Sequence, residues 1–147
     1  MGTIVVGVDG SAGAQEALRF AASEAKLRGD RLRAVIVWHV PTMAYGGGFG
    51  PAVSPTEFED NARATLEAAL AAVGDEVAGL EVEQAVRTGQ PALVLVEEAQ
   101  DADLLVVGSR GHGGFVGLLL GSVGQQCAQH APCPVVIVHK QGGSAHS

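Results

Sequence analysis

The chain has 147 residues, of which 16 are acidic and 9 are basic, and its formal net charge is −7. This length suits one domain with a substantial core. The core must consist mainly of Ala, Val and Leu, because 47% of the residues are hydrophobic but only 4% are aromatic. The acidic balance argues against non-specific nucleic-acid binding and against attachment to an anionic membrane surface.

No apolar run approaches the roughly 18 residues of a transmembrane helix, and residues 1–4 lack the charged and apolar regions of a signal peptide. The two cysteines, Cys127 and Cys133, suit a reducing compartment without a disulfide framework. We therefore expect a cytoplasmic protein.

Hydrophobic periodicity predicts strands and helices in alternation. The strands are short apolar runs of the kind buried on both faces, except residues 80–87, whose alternating pattern predicts a strand near a sheet edge. Ser11 can cap the first helix, and Ser54, Pro55 and Glu57 form a capping box at the start of the second. The predicted elements are strand 3–8, helix 11–29, strand 31–39, helix 54–77, strand 80–87, helix 91–100, strand 104–107, helix 122–130 and strand 134–139.

Five strands alternating with four helices predict βαβ units. The fold should be a single doubly wound α/β domain over residues 1–140, with a parallel sheet and helices on both faces. A polar tail over 141–147 is expected to be disordered. Residues 41–54 form a predicted irregular loop, glycine-rich at 46–50, for which a mobile loop and a lid over a ligand are the alternatives. Ligands of such domains bind beyond the carboxyl ends of the strands, where the strand order reverses.

A glycine-rich stretch follows strand 104–107 and leads directly into the helix that begins at Ser122. Glycines let backbone N–H groups approach a phosphate closely, the helix N-terminus offers unpaired donors, and Arg110 and Ser122 add side-chain donors. The turns Asp9-Gly10-Ser11 and Gly108-Ser109-Arg110-Gly111 end the first and fourth strands, so they meet at one crevice if those strands are neighbours. The sequence therefore predicts a site for a phosphate-bearing ligand.

The glycine spacing carries a family resemblance. Gly108-Ser109-Arg110-Gly111, nine residues and then Gly121-Ser122 resembles the G-x2-G-x9-G-S signature of the ATP-binding subclass of the universal stress protein family. The resemblance extends over nearly the whole chain, from the strand entering Asp9 to the strand after Pro134. It implies a sheet in the order 3-2-1-4-5, bound ATP and, for many members, a homodimer through the last strand, Pro134–His139.

The resemblance also implies roles for individual residues. Gly7 and Asp9 would lie by the adenine and ribose, and Val40 would contact the adenine. Other positions would line the phosphates and ribose or close the phosphate site at the helix end. These positions are Gly108, Arg110, Gly111, His112, Gly113, Gly114, Gly121, Ser122 and Val123.

Several of these residues have structural alternatives. Asp9 is either a turn or cap residue or a contact to ribose or Mg²⁺. His112 either contacts phosphate or faces solvent, and the glycine-rich stretch itself could be a turn without a ligand. His39 ends an apolar strand and is expected to be structural, and Cys127 is expected to be a small buried hydrophobe. The scattered histidines and two cysteines indicate no metal site.

Motifs of efficient catalysis were not found. The P-loop pattern fails because no lysine precedes Ser122, and the nucleophile elbow and zinc-hydrolase motifs are missing. Asp9 and His112 are the only plausible acid–base groups near the predicted phosphates. The prediction is therefore an ATP-binding stress-response protein that acts as a nucleotide-dependent regulator. Slow ATP hydrolysis, or a dimeric interaction protein in which nucleotide is structural, are the alternatives.

Overall fold

A computed structural model describes residues 1–38, 55–109 and 122–139. The predicted loop at 41–54, with its glycine-rich part at 46–50, lies outside the described residues, as do His39 and the predicted tail at 141–147. The elements are β1 (Thr3–Val8), α1 (Ala12–Arg28), β2 (Arg31–Trp38), α2 (Pro55–Ala72), α3 (Gly74–Val77), β3 (Val82–Thr88), α4 (Pro91–Glu98), β4 (Leu104–Gly108), α5 (Ser122–His130) and β5 (Val135–Val138). A 3-10 turn, Ala99–Asp101, follows α4.

Within the described residues, five strands form one parallel sheet in the order β3-β2-β1-β4-β5. This confirms the predicted doubly wound fold and strand order. The chain builds outward from β1 to β3 and then crosses back to β4, so the strand order reverses between β1 and β4. That reversal places the topological switch point, where such folds bind ligands, at the carboxyl ends of β1 and β4.

The core consists of two apolar layers, one on each face of the sheet. On one face Ile4, Val6 and Val8 pack with residues of α1 and α2, and on the other face Val5 packs with residues of α4 and α5. The layer under α1 is rich in alanine, which lets this helix approach the sheet closely. The alanines of α1 that are fully buried are Ala17, Ala21, Ala22 and Ala25. The predicted core of small aliphatic side chains is thus confirmed.

Most predicted boundaries agree with the structure within two residues, and two of the differences have a clear local cause. The predicted helix 54–77 is divided, because Val73 leaves the helical conformation at φ −113° and ψ 32° and the short helix α3 starts at Gly74. Glycine is a poor helix former, which explains a break at this position. The third strand begins at Val82 rather than Leu80, since Gly79 has a φ of +84° and the Leu80 amide donates to the Val77 carbonyl in a turn.

Strand β3 lies at an edge of the sheet, as its alternating pattern predicted. The two faces of β3, however, differ less in burial than the alternating sequence suggested. Gln84, on the face with Val82 and Val86, is exposed, whereas Ala85 on the opposite face is buried against α4. The small side chain of Ala85 fits beneath α4, which packs on the Ala85 face of β3.

Candidate functional site

The site is built on the neighbouring strands β1 and β4. They pair in parallel with Ile4 opposite Leu104 and Val6 opposite Val106, so the next residues of both strands reach the carboxyl edge of the sheet at the same level. The two predicted turns therefore do begin side by side. One is described as far as α1, and the other as far as Ser109.

The turn after β1 is organised by Asp9. Its Oδ1 atom accepts hydrogen bonds from the Ser11 amide, at 2.9 Å, and from the Ser11 hydroxyl. The Ser11 hydroxyl oxygen in turn accepts from the Ala14 amide at 3.1 Å and caps α1, as predicted. Asp9 thus has the turn role that was one of its two interpretations, and its contact to a ligand stays a prediction.

The end of β4 approaches two helix N-termini. A Cβ atom built on Gly108 would lie 2.8 Å from the carbonyl carbon of Gly13 in the first turn of α1. A Cβ atom built on Gly124, in α5, would lie 3.5 Å from the Gly108 carbonyl oxygen. Both α1 and α5 therefore direct their N-terminal ends toward this edge, where their dipoles and unpaired N–H groups favour an anion.

The contribution of α1 was missed from the sequence, which pointed only to the N-terminus of α5. A signal was present in Gly13, because glycine inside a helix costs roughly 0.5–1 kcal/mol relative to alanine. Its presence in an otherwise alanine-rich helix indicates a close approach of another backbone. Here that backbone is Gly108.

Gly7 has a packing role on the other face of the sheet. A Cβ atom there would lie 3.0 Å from Cδ1 of Leu95, a buried residue of α4. The absent side chain thus makes room for Leu95, and the predicted contact of Gly7 with adenine stays a prediction.

Only part of the predicted phosphate site is described. Ser122 begins α5, and Val123 is half-buried in its first turn against the apolar layer that contains Leu95 and Cys127. The other predicted ligand contacts lie outside the described residues. They are Val40, Arg110, Gly111, His112, Gly113, Gly114 and Gly121.

A cleft that was not predicted lies beside the Asp9 turn. Its volume is about 460 Å³. The residues that line it come from the turn, from α1 and from α2, and they are Asp9, Gly10, Gln15, Thr65, Ala68 and Ala69. The carboxylate of the predicted ligand site therefore shares a cleft with α2.

The cysteine side chains are unsuited to nucleophilic chemistry. Cys127 is fully buried, as expected, and burial raises the pKa of its thiol to about 11. Burial, with a smaller effect of the Asp103 carboxylate, also raises the pKa of Cys133. Reactive cysteines need a lowered pKa, so both thiols stay protonated at neutral pH.

In residues 1–38, 55–109 and 122–139, no three His, Cys, Asp or Glu side chains are grouped as metal ligands would be. None of the helices described is both long enough and apolar enough to cross a membrane.

These features define a doubly wound α/β domain whose switch-point crevice is bordered by two helix N-termini. The sequence profile of the Universal stress protein family matches residues 1–139. The chain belongs to this family.

A curated relative is a universal stress protein of Mycolicibacterium smegmatis. It is 41% identical over 137 residues, which are 92% of this chain and 45% of the relative. A universal stress protein of Mycobacterium tuberculosis is 36% identical over 138 residues, again 45% of its length. The chain thus spans about half the length of the curated relatives it matches.

Solved structures of universal stress proteins share the fold over nearly their whole length. The protein UspA from Lactobacillus plantarum has a TM-score of 0.75 and 26% identity, covering 93% of this chain and 97% of its own. A universal stress protein in complex with cAMP has a TM-score of 0.62 and 29% identity, covering 95% and 98%. The Archaeoglobus fulgidus protein in complex with dAMP has a TM-score of 0.67 and 29% identity, covering 94% and 98%.

Proposed function

We propose that this chain binds an adenine nucleotide, ATP in the first instance, at the carboxyl ends of β1 and β4. The observation that carries the proposal is the approach of α1 and α5 to Gly108, which directs two helix N-termini to one edge of the sheet. Polyphosphate is the ligand class that such an arrangement favours. The complexes of family members with cAMP and dAMP support adenine as the base.

The residues assigned to the ligand follow the family spacing. Asp9 would contact the ribose or a Mg²⁺ ion held by the phosphates, and Gly7 and Val40 would border the base. The remaining contacts would come from Gly108 through Gly114 and from the start of α5. Gly108 fits this role because any side chain there would fill the space between β4 and α1.

The nucleotide would act as a signal in a stress response rather than as a substrate that is turned over quickly. Phosphoryl transfer needs metal and positioning groups around the phosphates, and among the described residues that line the cleft beside the Asp9 turn, Asp9 is the one acidic side chain. A cytoplasmic setting belongs to the same proposal and is supported by two free cysteines.

The test is thermal unfolding with and without Mg·ATP, in protein shown by mass spectrometry to carry no nucleotide. Ligand at about 100 times its Kd adds about 2.7 kcal/mol, which should raise the unfolding midpoint by roughly 5–11 °C. Gly111→Val should abolish the shift, and Ser122→Ala should reduce it. Gly74→Ala, at a site where a Cβ meets nothing within 4 Å, is the matched control that keeps it.

If ATP, ADP and AMP all leave the midpoint unchanged, the nucleotide proposal is wrong. Hydrolysis is measured in the same series with Asp9→Ala. Slow turnover that disappears in this variant while binding remains would favour the hydrolase alternative over the regulator.

A homodimer through β5 is a second proposal, supported by the contrast between the two sheet edges. Strand β5 is a half-buried run of four apolar residues, Val135–Val138. The opposite edge, β3, carries Glu83 and Arg87, which are engaged in ion pairs. Charged side chains protect an edge from pairing, whereas an apolar edge invites it.

A further inference from the structure

The turn that carries Asp9 is in tight contact with α2. Gly10, the residue after Asp9, has a φ of +84°, and a Cβ atom there would lie 3.2 Å from Cγ2 of Thr65 in α2. The turn therefore lies beside α2 with little room for a side chain at Gly10, so a displacement toward α2 would bring it against Thr65.

A hydrogen bond makes a second link between the turn and α2. The Gln15 amide donates to the Ser11 carbonyl at 3.1 Å, which fixes Gln15 in the first turn of α1. Its side chain donates from Nε2 to the main-chain carbonyl of Ala69 in α2 at 3.0 Å. Ala69 lies in the last turn of α2, where the Val73 amide also donates to the Leu70 carbonyl at 3.2 Å. Gln15 therefore joins the first turn of α1 to the last turn of α2.

An aromatic pair makes a third link, at the other end of α2. The rings of Trp38, the last residue of β2, and Phe58, in the second turn of α2, are parallel within 3° with centroids 6.1 Å apart. Trp38 is the single tryptophan of the chain. Its fluorescence therefore reports on the position of α2 relative to the carboxyl edge of the sheet.

We propose that α2 is the element that responds to nucleotide, with Gln15 as the residue that transmits the response. This inference rests on the proposed nucleotide site. Asp9 Oδ1 holds the Ser11 amide and hydroxyl, so a ligand that engages the Asp9 carboxylate stabilises one geometry of the turn. Gly10 and Gln15 pass that geometry to α2, and the exposed surface of α2 then differs between the nucleotide-bound and nucleotide-free protein.

The experiment is hydrogen exchange of the segment 55–72 with and without Mg·ATP, while binding is measured separately by calorimetry. ATP should slow exchange in α2 by about fivefold, the effect expected of one neutral hydrogen bond gained or strengthened. Gln15→Met, which removes the donor and retains the length of the side chain, should lose this slowing. Gln100→Met is the matched control. Gln100 is exposed in the 3-10 turn that precedes β4, at the end of the sheet where the strands begin and away from the proposed ligand site.

Tryptophan fluorescence gives an independent readout. ATP should change the Trp38 emission in the wild type, and Phe58→Leu should remove most of that change while leaving the slowed exchange of α2. A change that survives fully in Phe58→Leu would mean that the nucleotide acts on Trp38 directly, and the stacked pair would not be a link.

The remaining outcomes separate this inference from the proposed function. If calorimetry shows binding but the exchange of α2 is unchanged, the response of α2 is disproved and the nucleotide site stands. If Gln15→Met keeps the full slowing, Gln15 is not the transmitting residue. If no adenine nucleotide binds, both proposals fail.

Discussion

Gly108 lies so close to Gly13 that a Cβ atom built on Gly108 would be 2.8 Å from the Gly13 carbonyl carbon and 2.9 Å from its oxygen. Real Cβ atoms do not approach backbone atoms so closely. The contact therefore sets how near α1 can come to the end of β4, and with it how near the α1 N-terminus comes to the proposed phosphate site.

We predict that Gly108→Ala lowers the free energy of unfolding by about 1–3 kcal/mol, the usual cost of overpacking a close contact. Because α1 must move away, the variant should also lose the ATP-induced rise in the unfolding midpoint. Urea unfolding measures the first effect and thermal unfolding the second. Gly74→Ala should change stability by less than about 1 kcal/mol, since a Cβ there meets no atom within 4 Å. A Gly108→Ala protein as stable as the wild type would contradict the packing argument.

The buried thiol of Cys127 should make stability depend on alkaline pH. Burial raises its pKa in the folded protein to about 11 from an ordinary value of 9.0. Between these values the unfolded chain loses the proton while the folded protein keeps it, so the free energy of unfolding falls as pH rises from about 9 to about 11. The loss should reach about 1–2 kcal/mol.

Urea unfolding between pH 8 and pH 10.5 measures this dependence. Other groups titrate in the same range, so the informative quantity is the difference between wild type and Cys127→Ala, which lacks the thiol. The variant should be less stable overall because of the cavity, but its stability should fall less steeply with pH. Parallel curves for the two proteins would refute the assignment.

Arg33 should contribute more to stability than an ordinary surface arginine. It donates to Glu83 Oε1 at 2.8 Å, to the Glu98 carbonyl at 3.0 Å and to Asp101 Oδ1 at 3.2 Å, and only 16% of its side chain is exposed. We predict that Arg33→Met lowers the free energy of unfolding by about 1–3 kcal/mol, because the part-buried Glu83 carboxylate and Glu98 carbonyl lose their donor.

The matched control is Arg63→Met on α2. Arg63 pairs with Glu59 one turn away, and both side chains are about half exposed, at 50% and 46%. Exposed pairs of this kind contribute about 0.5 kcal/mol or less. Urea unfolding of both variants tests the contrast, and equal losses would show that the Arg33 cluster is no stronger than a surface pair.

Asp101 should make the stability of the protein depend on pH in the acidic range. The hydrogen bond from Arg33 holds the pKa of the Asp101 carboxyl below its ordinary value of 3.8. The paired carboxylate therefore contributes stability above that value, and the contribution is lost as pH falls through the lowered pKa of the folded protein. Asp101→Asn, which cannot ionise, should be less stable than wild type at neutral pH, with the difference shrinking toward pH 2. Acid titrations of stability that keep a constant difference would contradict this linkage.

Local patterns were sufficient to predict most elements, because apolar runs and caps such as Ser11 act within a few residues of sequence, whereas the strand order came from the family resemblance. The family spacing of glycines predicts a ligand at the carboxyl edge of the sheet, and this stays a prediction. Contacts between segments that are distant in the sequence could not be predicted from local patterns. The link between Gln15 and Ala69 depends on how α2 packs against α1, and the packing of Gly7 on Leu95 depends on how α4 crosses the sheet. A glutamine or a glycine in the sequence does not by itself indicate which distant residue it will contact.

The two edges of the sheet should differ in self-association. In β5 the residues Val135–Val138 are all half-buried and uncharged, so the strand offers a flat apolar edge. In β3, Glu83 pairs with Arg33 and Arg87 pairs with Glu98, both at 2.8 Å. Charges next to an edge disfavour pairing with another strand.

We therefore predict a dimer that Ile137→Lys dissociates, because the new charge would have to be buried in the interface. Gln84→Lys, an equivalent change at the exposed side of β3, should leave the dimer intact. Sedimentation measures the molecular mass of each protein, and thermal unfolding verifies that Ile137→Lys is folded. A wild type that stays monomeric at the highest attainable concentration, or a Gln84→Lys protein that dissociates while Ile137→Lys does not, would show that β5 is not the dimer interface.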